Sequence, residues 1–144
     1  MGSPQKTEPT AESAETAEGK SRILNGITES IIGAAIRVHK ALGPDLLESA
    51  YEACLAFELA DMGLEVVQQQ PLPVVYRGVR LNCGYRLDLV VANDVIVEVK
   101  SVSRLEPIHE AQMLSYLKMS DRRVGLLMNF NVRVLKNGIR RIVN

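Results

Sequence analysis

The stretch Y-R-L-D-L-V-V-A-N-D-V-I-V-E-V-K-S, residues 85–101, constrains the fold of this chain more than any other. Leu87, Leu89, Val90 and Val91 form one apolar run, and Val95, Ile96, Val97 and Val99 form a second. Both are rich in β-branched residues and they are separated by Asn93-Asp94, a pattern that predicts a β-hairpin. Three charges interrupt it: Asp88, Glu98 and Lys100. An ionised group in a strand that is apolar on both sides costs several kcal/mol unless it is paired, solvated in a cleft or bound to a metal.

Side chains alternate along a strand, so Glu98 and Lys100 must share a face. Asp88 joins them in only one register. A two-residue turn at Asn93-Asp94 would set Asp88 opposite Val99, on the wrong face. A three-residue connection, Ala92 to Asp94, sets it directly across from Glu98, with β-carbons about 5 Å apart, close enough to share one divalent cation. That odd-length connection, or an equivalent bulge, is the expectation.

An Asp followed ten residues later by Glu-x-Lys resembles the active-site hairpin of the PD-(D/E)XK nuclease superfamily. From about Ile27 to Asn144 the chain resembles the small GxxExxY proteins assigned to that superfamily. The naming motif reads D-L-L-E-S-A-Y here: Glu48 and Tyr51 match, and Asp45 stands where the family has glycine. The departure bears on any positive φ or close backbone approach that glycine allows. The resemblance implies that Glu48 is a further acidic ligand beside the hairpin carboxylates, direct or through water. It also implies that Gln112 and Tyr116, a Q-x-x-x-Y pattern on the helix after the Glu-x-Lys strand, orient the lysine or hold a substrate phosphate.

The site so outlined has Asp88, Glu98, the Val99 carbonyl and Glu48 as metal-facing oxygens, with Lys100 beside them. Hard oxygen donors suit Mg²⁺ or Mn²⁺ and argue against zinc, for which His and Cys are the common partners. Lys100 would orient the attacking water or neutralise transition-state oxygens. The reaction class these parts fit is phosphodiester hydrolysis, with nucleic acid as partner and DNA ahead of RNA. Two other readings stay open: a catalytically inactive nuclease-fold module that binds nucleic acid or protein, and a structural ion pair of Glu98 and Lys100 with Asp88 inside the sheet.

At 144 residues and 47% hydrophobic content the chain suits one domain with a core of its own. Its formal net charge is zero, but residues 1–21 hold four Glu against two Lys, leaving fifteen Lys and Arg against thirteen acids elsewhere. So slight an excess implies that contact with nucleic acid is local, weak or shared between subunits of a homo-oligomer. Cys54 and Cys83 have no C-x-x-C spacing, no secretory signal is evident, and no apolar run is long enough to span a membrane. A cytoplasmic location without membrane attachment is expected.

Residues 1–21 lack any large apolar side chain after Met1 and read as a disordered N-terminal tail, with the nuclease-like domain at 22–144. Apolar residues at helical spacing predict a helix over 28–42, ended by Gly43-Pro44. His39 on its apolar side reads as a buried histidine bonded to a carbonyl rather than a catalytic one. A second helix is expected over 45–62, with Asp45 as N-cap and Gly63 at its C-terminal end. Residues 65–76 read as an edge or bent strand because of Pro71 and Pro73, with Gln68, Gln69 and Gln70 on its solvated side. Val79 to Val91 reads as one long strand bulged at Gly84. A third helix, 108–119, follows Pro107, and Val124 to Phe130 then pairs in parallel through a right-handed crossover. Asn137-Gly138 signals a type I′ hairpin between V-R-V-L-K and I-R-R-I-V, where Arg133, Lys136, Arg140 and Arg141 protect an edge. The fold class is α/β: a restriction-endonuclease-like three-layer sandwich, its central mixed sheet flanked by helices 28–42 and 45–62 on one side and 108–119 on the other.

Overall fold

Continuous burial along the hairpin strands makes a sheet that must be covered on both faces. The computed structural model describes residues 11–144, with side chains from residue 17 onward. It contains helices α1 (Ala11–Leu42), α2 (Glu48–Asp61) and α3 (Pro107–Ser120). Seven strands accompany them: β1 (Val66–Pro71), β2 (Val74–Tyr76), β3 (Val79–Leu81), β4 (Arg86–Val91), β5 (Val95–Lys100), β6 (Val124–Asn129) and β7 (Ile139–Val143). The main sheet runs β1-β4-β5-β6-β7, parallel only between β5 and β6, and β2 with β3 forms a separate two-stranded arm.

Helices α1 and α2 cover one face, packing Ile31, Ala35, Val38, Leu55 and Leu59 over Leu89, Val91, Val95, Val97, Val99, Leu126 and Met128. Helix α3 covers the other, setting Met113, Tyr116 and Leu117 against Val90, Ile96 and Leu127. Each fully buried Leu or Ile contributes about 1.5–3 kcal/mol, so both layers are held by apolar burial. The expected three layers and helix placement are what the chain adopts.

The register is the odd-length one: Leu89 faces Val97 and Val91 faces Val95, leaving Ala92, Asn93 and Asp94 as the connection. Ala92 and Asn93 take φ of 53° and 58°, the left-handed geometry such a short reversal needs. Pairing of β4 with β5 stops at Leu89 and Val97. The β1–β4 ladder continues to Pro71 and Arg86, and the β5–β6 ladder to Lys100 and Asn129. The sheet therefore forks, β4 leaving with β1 and β5 with β6. Leu89 packs in the α1/α2 layer while Leu87 packs in the α3 layer, so β4 also rotates about Asp88.

Several local expectations are revised. Helix α1 starts at Ala11, where the sequence reads as tail to Ser21; Ala and Glu there are good helix formers that extend a helix anchored by Ile27 and Ile31. Residues 1–10 of that expected tail lie outside the described residues. Helix α2 starts at Glu48 with Leu47 as N-cap, not at Asp45, whose φ of 73° cannot begin a helix. Its other end follows expectation: Gly63 at φ 84° donates to the Ala60 carbonyl while Leu64 donates to Leu59, closing a Schellman motif. The long strand over 79–91 is two strands broken at Asn82–Tyr85, because β3 pairs with β2 instead of entering the sheet.

The type I′ hairpin at Asn137-Gly138 is absent. A 3₁₀ turn over Leu135–Gly138 buries Leu135 in the α1/α2 layer, and β7 pairs with β6 instead. Gly138 is there because a β-carbon would lie 2.3 Å from the Asn129 carbonyl oxygen. His39 is buried and its Nε2–H donates to the Val132 carbonyl at 2.8 Å, the structural part expected of it. No helix among the described residues is long and apolar enough to cross a membrane.

Candidate active site

Where β4 and β5 part, their peptide groups lose each other and side chains replace them. Asp88 N–H donates to Glu98 Oε2 at 2.9 Å, and Val99 N–H donates to Asp88 Oδ2 at 2.9 Å. The two carboxylates thus face each other across the mouth of the fork, as the odd register requires. The Lys100 carbonyl accepts from Phe130 N–H at 2.9 Å and so faces β6. Val99 alternates with it, turning its N–H and its carbonyl toward β4. The Val99 oxygen therefore lies on the carboxylate side of β5.

Burial sets the electrostatics. Glu98 is 6% exposed, and desolvation followed by the Asp88 carboxylate pushes its pKa up to about 8, with Glu52 adding to the rise and the Asp88 N–H and Lys100 opposing it. Burial also raises Asp88, against the lowering effects of the Val99 N–H, Gln69 and Lys100. Lys100 is half-buried and acts on both carboxylates through its field, yet it joins neither ion pair found among the described residues, Arg37–Glu58 and Arg104–Glu106. A structural ion pair of Glu98 and Lys100 with Asp88 is not what the structure contains.

The turn before α2 brings in Glu48. Asp45 holds its left-handed φ, Ser101 Oγ donates to the Leu46 carbonyl at 2.7 Å, and Ser101 N–H donates to Glu48 Oε2 at 3.0 Å. Tyr51 is fully buried, stacked on Phe130 at 4.5 Å, and its hydroxyl spans the turn from Leu46 N–H to the Gly43 carbonyl. The D-L-L-E-S-A-Y stretch is therefore one unit, in which Tyr51 ties the turn and Glu48 meets the end of β5.

Helix α3 supplies Tyr116, 7% exposed, its hydroxyl kept protonated by burial and then by the fields of Glu98, Tyr85 and Asp88. Gln112, one turn earlier, is exposed and makes no hydrogen bond to the carboxylates among the described residues. His109 is used locally, its Nδ1 accepting from Glu106 N–H at 2.9 Å to cap α3.

Four residues belong here that the sequence reading missed. Glu52, one turn beyond Glu48, accepts from Gln69 Nε2 at 2.8 Å and from Gln68 Nε2 at 3.2 Å. Its pKa is raised by burial and by Asp88 and Glu48. Gln69 Nε2 also reaches Asp88 Oδ1 at 3.2 Å, linking the two acids. Gln69 stands opposite Asp88 with φ of 53°, a conformation costing roughly 1–3 kcal/mol in a non-glycine residue, so these glutamines are not simply the wet side of an edge strand. Tyr85 meets Tyr116 edge to face at 6.1 Å. Buried Asn129 grips the loop after β5, its Oδ1 accepting from Val102 N–H at 3.1 Å and its Nδ2 donating to the Val102 carbonyl at 3.0 Å.

Comparison with known families agrees with this geometry. A family model for the PD-(D/E)XK nuclease superfamily matches residues 25–142. The chain belongs to this superfamily. No curated protein and no solved structure matches it. The mixed five-stranded sheet and its helical layers are those of a restriction-endonuclease-like fold. Members of the superfamily typically use divalent metals. Among the described residues of this member no three His, Cys, Asp or Glu side chains converge as a ready metal cage. What converges is two carboxylates that repel each other, with a main-chain oxygen on the same side. That donor set fits a hard divalent cation that keeps several waters.

Proposed function

We propose that the chain is a Mg²⁺- or Mn²⁺-dependent nuclease of the GxxExxY group that hydrolyses phosphodiester bonds of nucleic acid, DNA in preference to RNA, in the cytoplasm. The observation that carries the reading is the pair Asp88 and Glu98, turned toward each other at the mouth of the fork with Lys100 near both and ion-paired to neither. The Asp45–Glu48–Tyr51 turn supports the GxxExxY assignment, since its first position needs the left-handed φ that a glycine supplies there.

Asp88, Glu98 and the Val99 carbonyl would hold the cation, with Glu48 beyond them through water. When bound, it supplies positive charge that neutralises a phosphodiester and promotes ionisation of the attacking water. Lys100 then orients that water and offsets charge on the equatorial phosphorus oxygens. The Tyr116 hydroxyl, held as a donor, hydrogen-bonds a phosphate oxygen, and Gln112 flanks it on the exposed side of α3. Glu52 and Gln69 keep Asp88 aimed across the fork. Water attacks phosphorus in line with the departing sugar oxygen, whose bond to phosphorus breaks as it takes a proton from solvent, while the proton of the attacking water leaves to solvent through the carboxylate cluster.

The test is cleavage of labelled single- and double-stranded DNA and RNA with Mg²⁺, with Mn²⁺ and with chelator, beside Asp88→Asn and Lys100→Ala. Metal-dependent cleavage lost in both variants is the expected result. Metal-independent binding without cleavage, unchanged by either substitution, would replace this reading with a non-catalytic binding module.

A further inference from the structure

The β2–β3 arm leaves the main sheet beside the fork. The β1–β4 ladder ends at Pro71 and Arg86, and Leu72 N–H then donates to the Tyr85 carbonyl at 2.9 Å, only three residues from Asp88. Every residue from Val75 to Arg86 is exposed. The register of the arm puts Val74, Tyr76, Val79 and Leu81 on one face and Val75 with Arg80 on the other. Tyr76 is 63% and Val79 55% exposed. A two-stranded hairpin is marginally stable by itself in water, so an uncovered apolar face on one marks a binding surface.

Charge says what the surface binds. No Asp or Glu occurs from Val66 to Leu87, a stretch that holds Arg77, Arg80 and Arg86. Arg77 and Arg80 take part in neither ion pair found among the described residues. The turn of the arm, Arg77-Gly78 at φ of 53° and 79°, is type I′, whose first central position favours Asn, Asp or Gly. A long cation held there against that preference argues that its charge is used at the tip. The basic residues of β7, Arg140 and Arg141, are placed differently. They lie at the opposite edge of the sheet, where Arg141 bonds the Asn25 side chain and Arg140 bonds the carbonyls of Asn137 and Ile139.

Aromatic placement narrows the partner further. The chain has four tyrosines. Tyr51 is buried in the α2 turn; Tyr76 is on the arm, Tyr85 at its root, and Tyr116 edge-on to Tyr85 beside Glu98. Exposed tyrosines among arginines that face no acid, of which Arg86 bonds only the Gln69 carbonyl at 3.3 Å, suit a polymer that offers base faces together with phosphates. A duplex hides its base faces, and a single strand presents them.

We infer that the β2–β3 arm grips single-stranded nucleic acid, stacking bases on Tyr76 and Tyr85, setting phosphates against Arg77 and Arg86 and, where the strand rounds the tip, against Arg80 on the opposite face, and leads that strand into the fork. The destination of the strand rests on the nuclease reading; the grip itself needs no metal. Opposite an acidic site, the arm supplies the positive charge that a polyanion requires to approach.

The experiment is fluorescence anisotropy of the full chain in chelator, with a labelled oligothymidylate and a blunt duplex of equal length, over a range of KCl concentrations. The single strand is expected to bind more tightly than the duplex. Tyr76→Ala should weaken single-strand binding about tenfold. Arg77→Gln combined with Arg80→Gln should weaken it and lower the salt slope by about 0.7 per arginine. Thermal melts of these surface variants should match the parent, and Asp88→Asn should bind normally while failing to cleave. Parent-like binding by the arm variants, duplex bound as tightly as single strand, or a dimer by light scattering that Tyr76→Ala converts to monomer would each overturn the proposal, the last assigning the apolar face to a second copy. Were the nuclease reading alone at fault, no protein would cleave and the anisotropy pattern would stand. Were the arm at fault, its variants would cleave at the parent rate.

Discussion

Glu98→Gln should make the metal-free protein more stable at neutral pH while abolishing cleavage. The folded pKa of Glu98 is about 8 against an ordinary 4.5. Between those values the folded state binds a proton that the unfolded state releases, so the protonated Glu98 stabilises the fold fully below pH 4.5 and loses that contribution as pH rises through 8. At about 1.4 kcal/mol per pH unit, the ceiling is about 5 kcal/mol, of which about 1 kcal/mol is lost by pH 5 and about 4 kcal/mol by pH 8. Gln keeps an acceptor for Asp88 N–H and removes the charge that Asp88 on β4 and Glu52 on α2 repel. It also removes the charge that Lys100 on β5 attracts and that lies beside Tyr116 on α3. Urea melts of parent and variant in chelator at pH 5, 6, 7 and 8 should give a gap of about 1 kcal/mol at pH 5, growing to about 4 kcal/mol in favour of the variant at pH 8. Saturating Mg²⁺ or Mn²⁺ should narrow the gap by stabilising only the parent. A gap that stays flat with pH, or a parent more stable at pH 8, would refute the reasoning.

Further outcomes follow from single contacts. Asp88→Ala leaves Val99 N–H without its acceptor, so it should cost about 1–3 kcal/mol more in a urea melt than Asp88→Asn, although neither protein cleaves. Asp45→Gly, at φ 73°, should raise stability by about 0.5 kcal/mol, read as a higher thermal midpoint with cleavage intact. Gly138→Ala pushes a β-carbon into the Asn129 carbonyl and should destabilise by about 1–3 kcal/mol in the same assay. Tyr116→Phe should leave the fold in place and reduce cleavage by about tenfold, the share expected of one hydrogen bond to a charged group.

Legibility in the sequence followed the range of the forces. The β4–β5 register could be read because three charges in apolar strands admit few arrangements, and only one of them brings Asp88 to Glu98. The α1/α2 layer could be read because Ile31, Ala35, Leu55 and Leu59 repeat at helical spacing. Glu52 carried a usable signal, four residues after Glu48 on one helix face, but a glutamate on a helix reads first as solvated. Gln69 carried none, since its place depends on a backbone twist that a Gln-Gln-Gln run does not encode. Asn137-Gly138 misled because its local turn preference is strong, and burial of Leu135 with the close approach of Gly138 to Asn129 outweighed it. The break at Asn82–Tyr85 was hidden for a similar reason: β3 has strand composition, but its partner is β2, and strand composition does not name the partner.

The fork joins the fold to the chemistry. Where two strands separate inside a protein, each exposes a buried peptide N–H that costs about 1–3 kcal/mol if left unmet. Here Glu98 meets the N–H of Asp88, and Asp88 meets that of Val99, so the two acids close the gap that the fork opens. Neutral side chains could perform that structural task without repulsion; an Asn and a Gln have suitable acceptors. Carboxylates at both positions make sense if their negative charge is used, because burial raises the pKa of both, Asp88 raises that of Glu98 further, and the empty fold loses stability at neutral pH. The instability of the metal-free site and the cation binding proposed for it would thus have one origin, the meeting of Asp88 and Glu98 where β4 and β5 part.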